Sequence, residues 1–436
     1  MTKFIEIELG KLGKTLTGKT PLAENVEDFG SEYLFITPSD SLDKKFVTQT
    51  ERKLSQVGLD RLKSKALPSH SILVSCIGSA MGKVAMNRTI CVTNQQFNCL
   101  IPNAETYSAD FIYYALKNSY KMLRRAAAGS TALPILNKTD FDLLPLRVAE
   151  KKADQVKIAR VLSSLDAKIE LNSQINAELE AMTKLLYDYW FVQFDFPMTA
   201  AQAASLGRPA LEGKPYKSSG GKMVHDATLN RLVPSGWTPE TLGNVVASVS
   251  TGLNPRQHFE LGRGQNYYVT IKSIEHGKLL LDAKCDRVDD DALLRINQRS
   301  DLRSGDILFT SIEPVGRLYL VRERPTNWNI NESLFSIRPK DGQATSAYLY
   351  YLLSSQHCRG YCKKVSTGSI HKGIRIAALR DYNFPKPDDK LIHAFTEYCD
   401  PILKQIHILD CQNQELIQLR DWLLPMLMNG QVTVGA

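Results

Sequence analysis

Apolar residues recur every seven positions over two long stretches of the chain. In the first, Ile158, Leu165, Asn172, Leu179 and Leu186 form one line, and Leu162, Ile169, Asn176 and Trp190 form the line beside it. In the second, 237 positions further on, Phe395, Ile402, Leu409, Leu416 and Leu423 are flanked by Cys399, Ile406, Asn413 and Leu427. Sustained heptads of this kind predict two long helices joined along a seam as a coiled coil. Residues 155–192 would span about 55 Å as a continuous helix, at 1.5 Å per residue. Asn176 and Asn413 fall at the same place in the two stripes, where an amide costs stability but fixes register. Pro401 is expected near the start of the second helix or at a kink in it, and Pro425 at its end or at a bend.

Outside these stripes the apolar runs are short, rich in β-branched and aromatic residues, and broken by Gly, Pro, Asn and Asp. Such runs predict strands of a mixed domain of about 150 residues. "ADFIYYALKN" and "SAYLYYLLSS" read as helices packed on those strands. The chain is also written twice. "LGKLGKTLTGKTP" (9–21) lies over "LGNVVASVSTGLNP" (242–255), "ILVSCIGSAMGKVA" (72–85) over "ILFTSIEPVGRLY" (307–319), and "TNQQFNCL" (93–100) over "INESLFSI" (330–337). "AAAGSTALPI" answers "KVSTGSIHKGI", and each copy then passes a proline, Pro145 or Pro385, into its long helix. The expected organisation is a domain over 1–150, a helical spacer over 151–196, a linker over 197–235, a second domain over 236–387 and a distal helical spacer over 388–436. The stretch 197–235 is rich in Gly, Ser, Ala and Pro without periodicity, and reads as a linker or a loosely ordered excursion.

Composition narrows this picture. The 436 residues are 43% apolar and 23% charged, ordinary values for a folded protein of two or three domains. The N-terminus, "MTKFIEIELG", lacks the apolar core of a signal peptide, so a cytoplasmic location is expected. Eight scattered cysteines include no C-x-x-C pair. The nearest approach to a metal cluster is His357, Cys358, Cys362 and His371, whose spacing fits no common zinc module, so no metal is expected. Net charge is +8, and its distribution is uneven. Lys and Arg number 19 against 15 acidic residues in 1–150 and 22 against 15 in 231–387, but 3 against 7 in 388–436. Two separate basic segments suggest two patches that meet a polyanion, with nucleic acid the usual candidate.

One motif points elsewhere. Gly13 to Thr20, "GKTLTGKT", satisfies the phosphate-loop pattern G-x-x-x-x-G-K-[ST], which would make Lys19 and Thr20 nucleotide ligands. A working phosphate loop joins a buried strand to a helix N-terminus. Here "FIEIEL" alternates like a half-exposed strand, and "TPLAENVEDFG" follows without helical period. In the second copy Lys19 and Thr20 become Leu253 and Asn254. What the repeat keeps is Thr-Gly-x-x-Pro, a turn.

The order of these blocks resembles the specificity subunit of type I restriction-modification enzymes over nearly the whole chain. The resemblance rests on the "TGKTP" and "TGLNP" turns, the two "IL" blocks, the "GST" and "TGSIHKG" loops, the "FVQFDFP" exit from the first helix and the terminal "LRDWLLPMLMNGQV". It implies an α+β fold: two similar mixed α/β target-recognition domains separated by two long helices pairing as an antiparallel coiled coil, with an internal pseudo-twofold repeat. It further implies a non-catalytic protein that binds double-stranded DNA at a bipartite, asymmetric target. Implied partners are two adenine-specific methyltransferase subunits and ATP-dependent restriction (translocase) subunits. S-adenosylmethionine, ATP and Mg2+ would sit on those partners, with no cofactor in this chain. The absence of any Pro-Pro pair, and so of the [DNS]-P-P-[YF] signature of amino-methyltransferases, agrees with this. "KPDDK" (386–390) reads as a solvated turn rather than as nuclease carboxylates. A coiled-coil adaptor that never touches DNA is the alternative, with a phosphate-loop NTPase behind it.

Cations hold phosphates, while Arg, Asn, Gln and short hydroxyls read base edges. In the first domain the candidates for DNA contact are Lys19, Thr20, Lys83, Arg124, Arg125, Ser130, Thr131 and Lys138. In the second they are Arg256, Arg317, Lys363, Lys364, Ser366, Thr367, Ser369, His371, Lys372 and Arg375. "LLYDYWFVQF" (185–194) and "LRDWLLPMLM" (419–428) carry more apolar surface than a two-helix seam covers. Tyr187, Trp190, Phe191 and Trp422 are therefore candidate partner anchors, packing of the first three on their own domain being the other reading.

Overall fold

The computed structural model describes residues 2–434 except 41, 128–134, 283 and 369–371. Contacts divide the chain into two units, Met1–Gln174 with Asp410–Ala436, and Ile175–Leu409. Each unit contains one copy of the repeat and a stretch of both long helices.

In the first unit the short apolar runs form an antiparallel core sheet in the order Gly13–Thr17, Phe97–Pro102, Ile72–Ser75, Val84–Asn87, extended by Phe46–Val47. A second sheet ends on Tyr33–Ile36 beside Cys91–Thr93, a parallel pair. In the second unit the corresponding order is Val246–Thr251, Leu334–Pro339, Ile307–Thr310, Leu318–Leu320, and the parallel pair is Asn266–Val269 with Trp328–Ile330. Each domain closes with an antiparallel pair, Phe4–Glu8 with Pro145–Ala149 and Thr238–Thr241 with Asn383–Lys386. The sequence repeat is thus a repeat of topology.

The helices expected on these sheets are Ala109–Asn118 and Ser346–Ser354. Both begin at a hydroxyl cap: Ser108 accepts from the Phe111 amide and Thr345 from the Tyr348 amide, which satisfies a donor that the helix leaves open. Phe111, Ile112 and Leu116 pack with Ile72, Val74 and Met86, and Tyr348, Leu349 and Leu352 with Ile307, Phe309 and Ile337.

The first long helix runs Lys152–Tyr187 and passes into a π-helical turn, Asp188–Val192. The second runs Asp389–Met428, continuous through both Pro401 and Pro425. Pro401 lies well inside it and Pro425 in its last turn, so neither ends the helix. Within each unit the two helices pack antiparallel. In the first, Asp166 meets Arg420 and Asn172 meets Asn413; in the second, Asn176 meets Ile406. Asn176 Nδ2 donates to Ile406 O at 3.2 Å, and Asn413 Nδ2 donates to Ile169 O at 3.3 Å. Donors and acceptors are each 237 positions apart, so the two buried amides make the same bond in the two copies.

The stretch 197–235 corrects an expectation, because it is folded. Thr199 and Gln202 form a reciprocal cap on the helix Ala200–Ser205, and Met223–Asp226 pairs with Arg231–Pro234 as a hairpin. Tyr216 stacks on Phe196, which stacks on Trp237, and all three are buried in the core of the second unit. The aromatic residues are too widely spaced to give a periodic signal, which is why composition alone reads this stretch as loose.

Candidate nucleic-acid interface

In the first unit Gly18 N donates to Phe97 O and Lys19 N to Thr93 O, which fixes the Thr-Gly-x-x-Pro turn beside the turn at 94–96. Gln96 O accepts from Cys76 N at 2.8 Å, and Cys76 O accepts from Leu136 N at 3.0 Å. In the second unit Gly252 N donates to Asn331 O, Ser333 O accepts from Ser311 N at 2.9 Å, and Ser311 O accepts from Ile374 N at 2.8 Å. The loops after the central strand also close alike. Gly82 N donates to Ser75 O and Gly316 N to Thr310 O, both glycines having a φ near +85° that other residues resist. Each unit therefore gathers four loops side by side; three of the backbone bonds recur in both copies, while Gly18 and Gly252 reach different residues beside the facing turn.

Lys19, Arg124 and Arg125 are exposed in the first cluster and make no ion pair among the described residues. Arg124 donates to the Tyr120 hydroxyl at 2.9 Å, and Tyr120 lies against Gly82, so this helix end adjoins the loop that carries Lys83. Lys83 and Lys138 are paired with Asp43 (2.8 Å) and Asp142 (2.6 Å). Exposed pairs of this kind are worth at most about 1 kcal/mol and exchange readily for another anion. Thr20 Oγ1 donates to Gln95 Oε1 at 2.6 Å.

In the second cluster Lys363 and Lys364 lie in the last turn of Gln356–Val365, where cations complement the helix dipole. Ser366 Oγ donates to Cys362 O, and Thr367 exchanges both backbone bonds with Gly373, closing the "TGSIHKG" loop. Lys372 O accepts from Glu313 N and ties that loop to the one carrying Arg317. Arg317 donates to Ile274 O at 3.1 Å. Arg256, Lys372 and Arg375 are exposed, Arg256 following Asn254, which caps the short helix Pro255–His258. Ser130, Thr131, Ser369 and His371 lie outside the described residues.

The phosphate-loop reading is excluded by geometry. Gly13–Thr17 is a strand paired with Asn98–Pro102, no helix follows at Thr20, and the Lys19 amide is spent on Thr93 O. Asp388 and Asp389 of "KPDDK" serve the start of the second long helix, Asp389 pairing with Lys386 at 2.6 Å. No group of three or more His, Cys, Asp or Glu is placed to hold a metal among the described residues. Cys358 and Cys362 are buried with sulfurs 4.0 Å apart, and the neighbouring Cys362 thiol together with burial holds Cys358 well above the usual thiol range.

One feature escapes sequence reasoning. The polar turn Asn94, Gln95, Gln96 abuts the Thr-Gly-x-x-Pro turn and offers the amides suited to adenine edges. In the sequence its block serves only to align the copies. Of the two sequence readings of Tyr187, Trp190 and Phe191, packing is the one observed: they are buried among Tyr348, Tyr351, Phe395 and Trp237. Trp190 and Phe191 lie in the π-helical turn, and Tyr187, at the end of the α-helix before it, is buried with them. Trp422, by contrast, is 58% exposed.

Two copies of one fold, each carrying a basic loop cluster, form a scaffold of the class suited to a polyanion. The family model for the type I restriction modification DNA specificity domain matches residues 1–181 and 234–416, one match for each copy. The chain is 35% identical to the type I restriction enzyme HindI specificity subunit of Haemophilus influenzae, covering 99% of this chain and all of that one. It is 23% identical to the MjaIX specificity subunit of Methanocaldococcus jannaschii, covering 99% and 97%. The crystal structure of an S subunit from M. genitalium has the same fold, with a TM-score of 0.58 at 15% identity over 98% of this chain and 96% of that one. The chain belongs to the family of type I restriction-modification specificity subunits, and is the non-catalytic DNA-specificity component of such a system. Such subunits carry no cofactor; S-adenosylmethionine and ATP bind the modification and restriction subunits. No described helix is long and apolar enough to cross a membrane.

Proposed function

We propose that this chain reads a bipartite, asymmetric target in double-stranded DNA, one half-site with each loop cluster. One observation carries the reading: backbone bonds, three of them the same in both copies, gather four loops in each unit, while the side chains on those loops differ. Lys19, Arg124, Arg125, Lys83 and Lys138 supply phosphate contacts in the first cluster, and Arg256, Arg317, Lys363, Lys364, Lys372 and Arg375 in the second. Thr20, Ser366 and Thr367 face base edges; Ser130, Thr131, Ser369 and His371, which lie outside the described residues, are the remaining candidates. Unlike side chains on a common frame favour unlike half-sites.

The functional division is then 1–150 and 236–387 for target recognition, 151–196 and 388–436 for the helical spacers, with 197–235 connecting them. The helices recruit two adenine-N6 methyltransferase subunits, and ATP-dependent restriction subunits join that assembly. Support for two copies of one partner comes from a repeated apolar doublet. Met182 and Leu185 are 59% and 65% exposed, and Leu419 and Trp422, 237 positions later, are 43% and 58% exposed. A cytoplasmic setting goes with DNA as the ligand.

Salt titration of duplex binding by the complex with methyltransferase subunits tests the phosphate contacts. Every neutralised phosphate steepens the fall of log K against log salt by about 0.9, so Lys363→Ala with Lys364→Ala should flatten the slope by about 1.8. An unchanged slope would remove these lysines from the interface.

A further inference from the structure

In the first unit the recognition domain is fastened to the long helices by a network of charge as well as by packing. Lys45 Nζ, on a side chain only 8% exposed, lies 2.6 Å from Asp110 Oδ1 and donates to Ser163 Oγ at 2.9 Å. Tyr114 donates to Asp166 Oδ2 at 2.5 Å, and the other oxygen of Asp166 accepts from Arg420 at 2.8 Å. Asp166 belongs to the first long helix and Arg420 to the second, with side chains 12% and 14% exposed. Arg88, stacked 4.6 Å from the Phe46 ring centroid, reaches Glu170 at 2.6 Å. Lys45, Asp110, Asp166, Arg420, Arg88 and Glu170 line a cavity of about 500 Å³.

Among the described residues the second unit builds the corresponding joint without a counterpart of the Asp166–Arg420 pair; the pair it has there is Glu323 with His407, the counterpart of Glu170, at 3.7 Å. At 237 positions' offset Tyr114 corresponds to Tyr351, Asp166 to Leu403, and Arg420 to Thr183. Tyr351 donates to Thr183 Oγ1, Leu403 is buried, and Phe395 lies against the Tyr351 ring. Charge-assisted hydrogen bonds are directional, whereas apolar contact is not. A carboxylate held at once from the domain and from both helices resists rotation of that domain in a way that a Leu and Thr pair does not.

Orientation matters because one base pair changes the separation of two half-sites by about 3.4 Å and turns them by about 35°. We propose that Tyr114, Asp166 and Arg420, with Lys45, are positioning residues that fix the first recognition domain on the helices and thereby enforce one spacer length. The proposal rests on the bipartite reading above.

The test uses the full chain co-expressed with its methyltransferase subunit, with methyl-adenine mapped across genomic DNA. The Asp166→Leu, Arg420→Thr double variant installs residues that already fit this joint in the second copy. Tyr114→Phe, which removes a single hydroxyl, is the milder variant should the first fail to fold. We expect the wild type to mark one spacer length. In the variants, marking at spacers one base pair longer or shorter should rise roughly tenfold, equivalent to about 1.4 kcal/mol, with both half-site sequences unchanged. Variants that fold and keep the wild-type spacer preference within about twofold overturn the proposal, because that much lies within the usual scatter between distant sites. A wild type that marks no split motif fails earlier, and overturns the bipartite reading itself.

Discussion

Gly18 and Gly252 explain why Thr-Gly-x-x-Pro survives in both copies. A Cβ on Gly18 would lie 2.2 Å from Asn94 O and 2.3 Å from Thr93 O, and one on Gly252 would lie 1.7 Å from Ile330 O. Backbone crosses backbone there, so no flexible side chain can yield. Gly252→Ala should cost about 1–3 kcal/mol or more. At about 2–4 °C per kcal/mol for a domain of this size, calorimetry should register a clear fall in Tm; unchanged melting would contradict the geometry. The same crossing sets Lys19 and Thr20 beside Gln95, which makes a structural glycine a condition for the proposed interface. Asn176 and Asn413 act comparably on the helices, since each donates to a carbonyl of the opposite helix and so defines one register.

At the scale of elements, the heptads make both long helices legible, because a seam repeats over many turns and averages out exceptions. Their ends are less so. The second helix continues through Pro401, with Leu403 and Ile406 beyond it still packed inward. The π-helical turn at Asp188–Val192 has no compositional mark, and its Trp190 and Phe191 belong to the core of the second unit. Trp422 and Leu185 keep the exposure that an anchor needs. Trp422→Ala should weaken capture of the methyltransferase subunit by about 2 kcal/mol, roughly thirtyfold, and Leu185→Ala should act in the same direction. Both should leave the melting temperature nearly unchanged. Trp190→Ala should instead destabilise the second unit by about 3–5 kcal/mol. Equal assembly by Trp422→Ala and the unaltered chain, measured by size-exclusion chromatography with light scattering, would reject the helix face as the docking surface.

For the molecule as a whole, the repeat is the most informative signal, because it separates shared framework from differing loops without any structure. The order "TGKTP", "ILVSCIGSAMGKVA", "TNQQFNCL" and its second copy locates the loops that the backbone bonds assemble. The joint at Lys45, Asp110, Asp166 and Arg420 is not legible, since its members are scattered along the chain and each is an ordinary charged residue by itself. Only folding brings them within hydrogen-bond reach. The measurement that tests the central claim most directly is methylation mapping after co-expression with an adenine methyltransferase subunit. Methyl-adenine should appear at one split, non-palindromic motif and vanish when this chain is omitted. The same sites marked without the chain, or a simple palindrome, would contradict the reading of two unlike half-sites by two loop clusters.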